Sequence, residues 1–177
     1  MARLGRIGKR LTAVLAFAAV APALQGNSVA LSFQDRVLQS HNRERAAVGV
    51  PALSWDEGLA ADAAVWAERL TKVGRLVHSP DNPYDPDPQG ENLWAGTKGY
   101  YGPEQMVGLW RDEKVNFQPG VFPTNSRTGE LEDVGHYTQL VWRSSRRVGC
   151  AVAHGRSDDF LVCRYSEGGN VIGEVPY

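Results

Sequence analysis

The stretch GHYTQLVW, residues 135–142, sets a histidine into a run that is otherwise built for packing. Three more acidic or imidazole side chains interrupt such runs elsewhere in the chain: His78, Glu91 and Glu113. Two imidazoles and two carboxylates brought together make a pocket that could hold a divalent metal or transfer protons. We therefore take these three residues and His136 as the candidate site.

The pattern around Glu113 leaves two interpretations open. Met106, Trp110 and Phe117 mark the buried face of a predicted helix, and Glu113 falls between the last two of them. A carboxylate on that face needs a cationic or hydrogen-bonding partner, so it could belong to a site. It could equally be a salt-bridged glutamate at the edge of the apolar stripe.

The spacing of the histidines does not by itself predict a metal centre. His78 and His136 are far apart in the sequence, and no short chelating pattern such as HExxH is present. We interpret His41, inside the first predicted helix, as a structural hydrogen-bonding group. His154 adjoins a predicted hairpin turn, where we expect it to be solvated.

Capping patterns and apolar periodicity predict three helices. Ser32 and Asp35 form a capping box at the start of the first, and Ser54 and Glu57 repeat this arrangement at the second. A proline suits the first turn of the third helix. The predicted helices run from residue 32 to about 48, over 55–72, and from 103 to about 117.

The second half of the chain predicts loops and strands. Residues 79–90 and 118–132 carry the composition of long loops, and both adjoin candidate site residues. A short helical turn and a strand around 136–143 come next, followed by a hairpin that contains both cysteines. Helices first and strands late predict an α+β domain in which helices cover an antiparallel sheet.

The two cysteines flank a predicted hairpin with its turn over residues 155–158. Pairing residue 154 with 159 places Cys150 opposite Cys163 on neighbouring strands, where a disulfide can close. Two buried free thiols are the alternative. The absence of a CxxC motif argues against a zinc ribbon or a thioredoxin-like site.

Residues 1–30 differ from the rest of the chain and predict a cleaved secretory signal peptide. A basic start free of acidic residues precedes the apolar run 11–23, which is too short to cross a bilayer. Cleavage after Ala23 and cleavage after Ala30 both fit, and an uncleaved anchor is the alternative. The remaining residues 31–177 form the predicted domain.

The charge balance argues against a nucleic-acid partner. The chain has 19 basic and 20 acidic residues, and the four basic residues of the signal segment leave with it. The mature domain is therefore acidic and lacks the basic surface that nucleic-acid binding requires. We expect a secreted protein, extracellular or periplasmic, with no membrane span after signal removal.

Taken together, the motifs resemble the CAP superfamily, named after cysteine-rich secretory proteins, antigen 5 and pathogenesis-related 1 proteins. The resemblance spans residues 33–177 and implies a three-layer α-β-α sandwich around a central antiparallel sheet. The single available disulfide is typical of a bacterial single-domain member. The stretches that carry the resemblance are GHYTQLVW (135–142), RVGCA (147–151), CRY (163–165), GNVIG (169–173), His41-Asn42 with Arg45, Leu53 with Trp55-Asp56, and GENL (90–93).

The resemblance also implies a central cleft in which His78, Glu91, Glu113 and His136 face one another. In the family the two histidines can take up zinc or another divalent cation, while a nearby carboxylate orients each imidazole. Two imidazoles leave a metal short of protein ligands, so water or a guest must complete the coordination. By the same analogy Tyr137 and Gln139 line the cleft wall.

Three functions follow as hypotheses. The first is a non-catalytic secreted binding module for a divalent metal and a small lipophilic or peptide guest. The second is a metal-dependent hydrolase of peptide or cell-wall material, with zinc on the two histidines and Glu91 or Glu113 as general base. The third is a scaffold whose polar cluster only stabilises the fold. The loop before GHYTQLVW has two aromatic residues, Phe117 and Phe122, and gives little support to sterol binding.

Overall fold

The computed structural model of the protein describes residues 30–80, 84, 86 and 88–177. The predicted signal peptide, residues 1–30, lies outside this part of the chain except for its last residue. Helix α1 spans Phe33–Ala47 and begins at the predicted capping box, in which Ser32 and Asp35 bond each other's backbone. Within the described residues, no helix is both long enough and apolar enough to span a membrane.

Helix α2 spans Glu57–Val73 and is capped by Asp56, whose side chain accepts a hydrogen bond from the Leu59 N–H. The prediction that Ser54 caps this helix is wrong. The chain is still extended there, because the backbone N–H of Ser54 bonds the Arg146 carbonyl just before a neighbouring strand, and that of Asp56 bonds the Val148 carbonyl within it. Ser54–Trp55 is therefore a short strand, β1.

Strand β2 spans Gly90–Thr97, β3 spans Arg147–His154 and β4 spans Asp158–Ser166. Together with β1 they form a four-stranded sheet in the order β1-β3-β4-β2. The three long strands are antiparallel, as predicted, and β1 adds a short parallel pair at the β3 edge. The β2 strand was not predicted.

The cysteine hairpin has the predicted register. His154 pairs with Asp159 and Cys150 pairs with Cys163 across β3 and β4. The two cysteines form a disulfide, and the described residues include no free cysteine. The covalent link therefore joins two strands that are already neighbours in the middle of the sheet.

The predicted strand around 136–143 is wrong, because this stretch is helical. Helix α4 spans Gly135–Leu140 and is followed by a tight turn. The fully buried guanidinium of Arg45 holds that turn by donating to the carbonyls of Leu140 and Trp142. A tertiary contact from α1 thus stabilises a short helix that the local sequence does not specify.

Helix α3 spans Pro103–Asp112 and is shorter than predicted. A 3₁₀ turn over Glu113–Asn116 continues it, so the backbone tightens at the candidate glutamate. A second 3₁₀ turn, Leu131–Asp133, lies just before α4. Both turns lie close to the candidate site.

Two apolar cores flank the sheet and make the three-layer α-β-α sandwich. On one face, α2 packs Ala63, Ala67 and Leu70 against Leu93 and Phe160. On the other face, α1, α3 and α4 share a larger core with the disulfide and with the strand side chains that point away from α2. This second core includes Val37, Trp94, Met106, Trp110, Tyr137, Leu140, Leu161 and Tyr165.

Candidate functional site

Strand β2 presents Glu91 to His78. The ring Nδ1 of His78 donates to Glu91 Oε1 over 2.7 Å, and the Ser79 N–H donates to the same oxygen over 3.1 Å. Arg164, the cross-strand partner of Glu91 on β4, places Nη2 2.9 Å from Oε2. The two groups form an ion pair, but no described residue donates a hydrogen bond to the buried Oε2.

The environment of Glu91 keeps its carboxylate ionised. Burial by itself would raise the pKa of Glu91, since its side chain is only 7% exposed. The hydrogen bond from His78, the positive charge of Arg164 and the Ser79 N–H together outweigh burial and lower that pKa below its ordinary value. An anionic Glu91 holds a proton on His78 Nδ1, so that in the neutral form of the ring the lone pair is on Nε2.

The second pair has the same form but comes from different elements. Glu113, at the end of α3, accepts from His136 Nδ1 over 2.5 Å through Oε1. Its Oε2 accepts the backbone N–H groups of His136 and Tyr137 over 2.9 and 3.0 Å. The carboxylate thus serves both as the partner of the imidazole and as the cap of α4. Trp110 stacks on the His136 ring, with the planes 11° apart.

The two histidines line the same pocket. Its volume is about 370 Å³, and it lies between β2, the turn before α4, and the chain after β4. A smaller pocket of about 190 Å³ adjoins it and shares His78, Glu91 and Asn170. The larger pocket is lined by His78, Glu91, Asn92, Leu131, Glu132, Gly135, His136 and Asn170.

Glu113 lines neither of these two pockets and lies behind His136. Glu91, by contrast, forms part of the wall of both. The structure therefore brings the four predicted residues together as two imidazole–carboxylate pairs around one cavity. Sequence reasoning alone did not say which carboxylate accompanies which imidazole.

Tyr137 and Gln139 occupy different places from each other. Gln139 lines the smaller pocket, where its side chain accepts from the Gly169 N–H over 2.8 Å. Tyr137, expected on the cleft wall, is instead completely buried and lines neither pocket. Its ring packs edge-on against Phe117, and its hydroxyl lies 3.2 Å from that of Tyr177. The periodicity of α4 explains this, because residues two apart point to different sides of a helix.

Sequence reasoning missed a buried network behind the pocket. Asn92 Nδ2 donates to the His136 carbonyl over 3.0 Å and to the Tyr165 hydroxyl over 3.2 Å. That hydroxyl contacts His41 Nε2 over 2.8 Å, and His41 Nδ1 donates to the Val37 carbonyl. The network ties α1 to the backbone of His136. The network is consistent with the structural role predicted for His41. Asn92, in the motif GENL, is the residue from which the network could have been predicted.

Asn170 is another site residue that sequence reasoning missed. It has a positive φ of 58° and lies where the two pockets meet. Its side chain donates to the Gly135 carbonyl and accepts from the Thr138 hydroxyl, which ties the chain after β4 to α4. Its occurrence in a Gly-Gly-Asn turn indicated the backbone conformation but not the contact.

The donor set suits a divalent cation that takes part of its coordination from elsewhere. Each imidazole has a carboxylate on Nδ1, an arrangement that orients metal-binding histidines and raises their basicity. In the described part of the chain, however, no three His, Cys, Asp or Glu side chains already stand in metal-binding geometry. The two imidazoles therefore fit an ion only if further ligands close on it.

A third imidazole–carboxylate pair lies away from these pockets. His154 Nδ1 donates to the buried Asp159 over 2.6 Å, beside the turn of the β3–β4 hairpin. Burial would raise the pKa of Asp159, but the Gly99 N–H and His154 outweigh it and lower that pKa. The His154 ring is mostly exposed, as predicted, and lines neither pocket.

Comparisons with known proteins agree on one family. The model of the family described as CAP, the cysteine-rich secretory protein family, matches residues 38–165. Pathogenesis-related protein 1B of Nicotiana tabacum is 38% identical over 152 residues, which cover 85% of this chain and 84% of the relative. Pathogenesis-related protein 1 of Arabidopsis thaliana is 38% identical over 165 residues, covering 93% and 94%.

Solved structures with the same fold include a crystal structure of NaASP2 with Zn²⁺. It aligns with a TM-score of 0.68 at 21% identity and covers 86% of this chain and 88% of its own. The structure of BmVAL-1 gives the same TM-score and identity, covering 86% and 85%. These likenesses establish the α-β-α fold independently of the sequence motifs.

Proposed function

Since the chain belongs to the CAP family of cysteine-rich secretory proteins, we propose that it is a secreted binding protein that holds a divalent cation between His78 and His136. A small lipophilic or peptide guest occupies the rest of the cleft. Zinc is the cation that best suits two imidazole nitrogens with open coordination positions. Secretion accords with the disulfide, which persists in oxidising compartments.

The observation that carries this proposal is the pair of carboxylate-oriented imidazoles on one pocket. His78 and His136 come from different parts of the chain, yet each has its Nδ1 on a carboxylate and each lines the same 370 Å³ cavity. In the neutral form of each ring, a proton on Nδ1 places the lone pair for coordination on Nε2. The acidic residues Glu91 and Glu132 on the wall further favour a cation over an anion.

The zinc bound in the crystal structure of NaASP2 supports the choice of metal, because that protein has the same fold. The size of the cavity supports the guest. A volume of about 370 Å³ lies near the lower end of the roughly 300–1,000 Å³ typical of small-molecule pockets. Leu131 contributes apolar surface at the rim, whereas the adjoining pocket is polar, so an amphipathic guest fits both.

The contacts of the two carboxylates favour binding over catalysis. A general base must accept a proton from water or substrate, with an oxygen in reach of that group. Both oxygens of Glu113 are occupied by three N–H donors, and Glu113 lines neither pocket. Glu91 is held ionised by His78, Ser79 and Arg164, which lowers its basicity. These contacts support a positioning role for both residues.

Zinc titration of the purified protein tests the proposal, with histidine variants as comparison. We expect one zinc per chain in the parent, and loss of that binding in both His78→Ala and His136→Ala. His154→Ala is the matched control, since it removes an imidazole of the same chemistry from outside the pockets. Equal zinc binding in the parent and in His136→Ala would contradict the proposal.

A further inference from the structure

Two of the carboxylates near the cavity are already held by other groups. Both oxygens of Glu113 accept hydrogen bonds, one from the His136 ring and the other from the backbone at the start of α4. Glu91 holds His78 and Ser79 through one oxygen and faces Arg164 with the other. Bringing either one to a metal would release the imidazole that it orients. Neither is therefore suited to be a direct ligand.

The amide side chains of the wall are also committed. Asn170 bonds Gly135 and Thr138, and Asn92 bonds the His136 carbonyl and Tyr165. These contacts fix the backbone around His136. Moving either amide onto an ion would break the support of the ligand beside it.

Glu132 differs from all of these. It lies in the 3₁₀ turn Leu131–Asp133 and lines the larger pocket together with both histidines. It is exposed, and it makes no hydrogen bond or ion pair with any other described residue. An exposed glutamate has several accessible rotamers, so its carboxylate can move without cost to a partner.

We propose that Glu132 is the third protein ligand of the cation, which it binds together with His78 and His136. This inference rests on the proposed function, since it concerns the same metal. Two imidazoles and one carboxylate make a donor set that tetrahedral zinc accepts, with one position left for water or for a guest. The requirement that Glu132 closes on the ion explains why no three ligands already stand in metal-binding geometry among the described residues.

The proposal also assigns separate roles to the three glutamates of the site. Glu91 and Glu113 orient the imidazoles from behind, and Glu132 contacts the metal from the opposite, solvent-facing rim. A guest with a carboxylate or another anionic oxygen would then take the open position on the metal. Its apolar part would lie against Leu131, which is 38% exposed at the same rim.

The test compares zinc affinity in the purified parent, in Glu132→Gln and in Glu130→Gln, measured by competition with a chromophoric chelator. Glu130 is the matched control because it is an exposed glutamate two residues away that does not line this pocket. We expect Glu132→Gln to weaken zinc binding at least as much as loss of an outer-sphere partner does, roughly 10- to 100-fold. Glu130→Gln should bind like the parent.

Cobalt(II) substitution gives a second measurement that does not depend on affinity. A four-coordinate cobalt ion absorbs visible light far more strongly than a six-coordinate one, because its geometry lacks a centre of symmetry. The parent should show the strong four-coordinate spectrum, and Glu132→Gln should lose intensity as several waters replace the carboxylate and raise the coordination number.

The outcomes separate this inference from the proposed function. Unchanged zinc affinity and an unchanged cobalt spectrum in Glu132→Gln, with binding lost in His136→Ala, would overturn the role of Glu132 and leave the two-histidine site standing. Equal weakening by Glu132→Gln and Glu130→Gln would also overturn it, since that result indicates only the general negative charge of the segment. A parent that binds no zinc at all would overturn both.

Discussion

At the scale of single residues, Glu113 illustrates how one carboxylate can serve a helix and a site together. It receives three N–H groups from two adjacent residues, one from the His136 ring and two from the backbone. The same carboxylate therefore caps the start of α4 and orients the His136 ring. Because one side chain performs both tasks, a change at Glu113 should alter metal binding by changing which ring nitrogen of His136 carries the proton.

Glu113→Gln should therefore weaken zinc binding through the His136 tautomer. The glutamine oxygen can still accept the two backbone N–H groups, but its amide then faces Nδ1 as a donor. The ring must carry its proton on Nε2, which removes the lone pair that a metal requires. We expect a loss of roughly 10- to 100-fold in zinc affinity, measured by titration. Asp112→Asn, an exposed neighbouring change, is the control and should bind normally.

His41 makes the stability of the fold depend on pH. Burial lowers the pKa of this ring to about 4, the Val37 carbonyl opposes that shift, and the charge of Arg45 adds to it. In the unfolded chain the imidazole has an ordinary pKa of about 6.5. Between these values the unfolded state binds more protons, so stability falls as the pH decreases from about 6.5 to about 4.

The expected loss from His41 over this range is roughly 3 kcal/mol in the free energy of unfolding. Urea unfolding at several pH values between 7 and 4.5 measures it. The lowered pKa values of Glu91 and Asp159 add their effects only below about pH 4.5, as those carboxylates become protonated in the unfolded chain. A His41→Gln variant with the same pH slope as the parent would show that this residue is not the source.

At the scale of secondary-structure elements, the sequence predicts the features that are set by contacts between residues close together in the chain. The predicted start of the first helix is confirmed, because its capping box is formed by Ser32 and Asp35, three residues apart. The hairpin register followed from the positions of the cysteines around one turn. Both signals are local, and each involves groups that meet within a single element or turn.

Elements that depend on distant contacts were missed or assigned wrongly. Strand β1 exists because Ser54 and Trp55 pair with Arg147 and Val148, more than ninety residues later. The stretch around 136–143, predicted as a strand after a short helical turn, instead contains helix α4 and a tight turn. Its helical form depends on Glu113 at its start and on Arg45 at its end. None of these contacts can be read from local pattern.

The start of α2 offers a direct test at this scale. Asp56→Ala removes the side chain that caps the Leu59 N–H and that pairs with Arg147, so it should cost about 1 kcal/mol. Ser54→Ala, at the position where sequence pattern alone placed the cap, should change stability by only a few tenths of a kcal/mol, since that side chain is exposed. Thermal unfolding distinguishes the two, and a larger cost at Ser54 would contradict the observed cap.

At the scale of the whole molecule, the three layers explain why the site residues could be named before their arrangement was known. The residue types in apolar runs, together with the family resemblance, identified the two histidines and two glutamates. Their pairing depends on the sheet order, which sets Glu91 beside Arg164, and on α3 ending against α4. Glu132 carried no such signal, because an exposed glutamate in a loop looks like any other.

The layers also separate the site from the support of the fold. Helix α2 and one face of the sheet form a core that contains no site residue. The site lies at the β2 edge of the sheet, where Glu91 from the α2 face and His136 from the α4 side line one pocket. Substitutions of pocket residues that are mostly exposed, such as His78 at 67% side-chain exposure, should therefore affect binding more than folding.

The most direct test of the central claim is the melting temperature of the purified protein with and without zinc, beside His78→Ala and His136→Ala. A ligand at 100 times its Kd adds about 2.7 kcal/mol to the folded state, which corresponds to a rise of roughly 5–10 °C for a domain of this size. We predict that rise in the parent and its loss in both variants. A parent whose melting temperature does not respond to zinc would contradict the account.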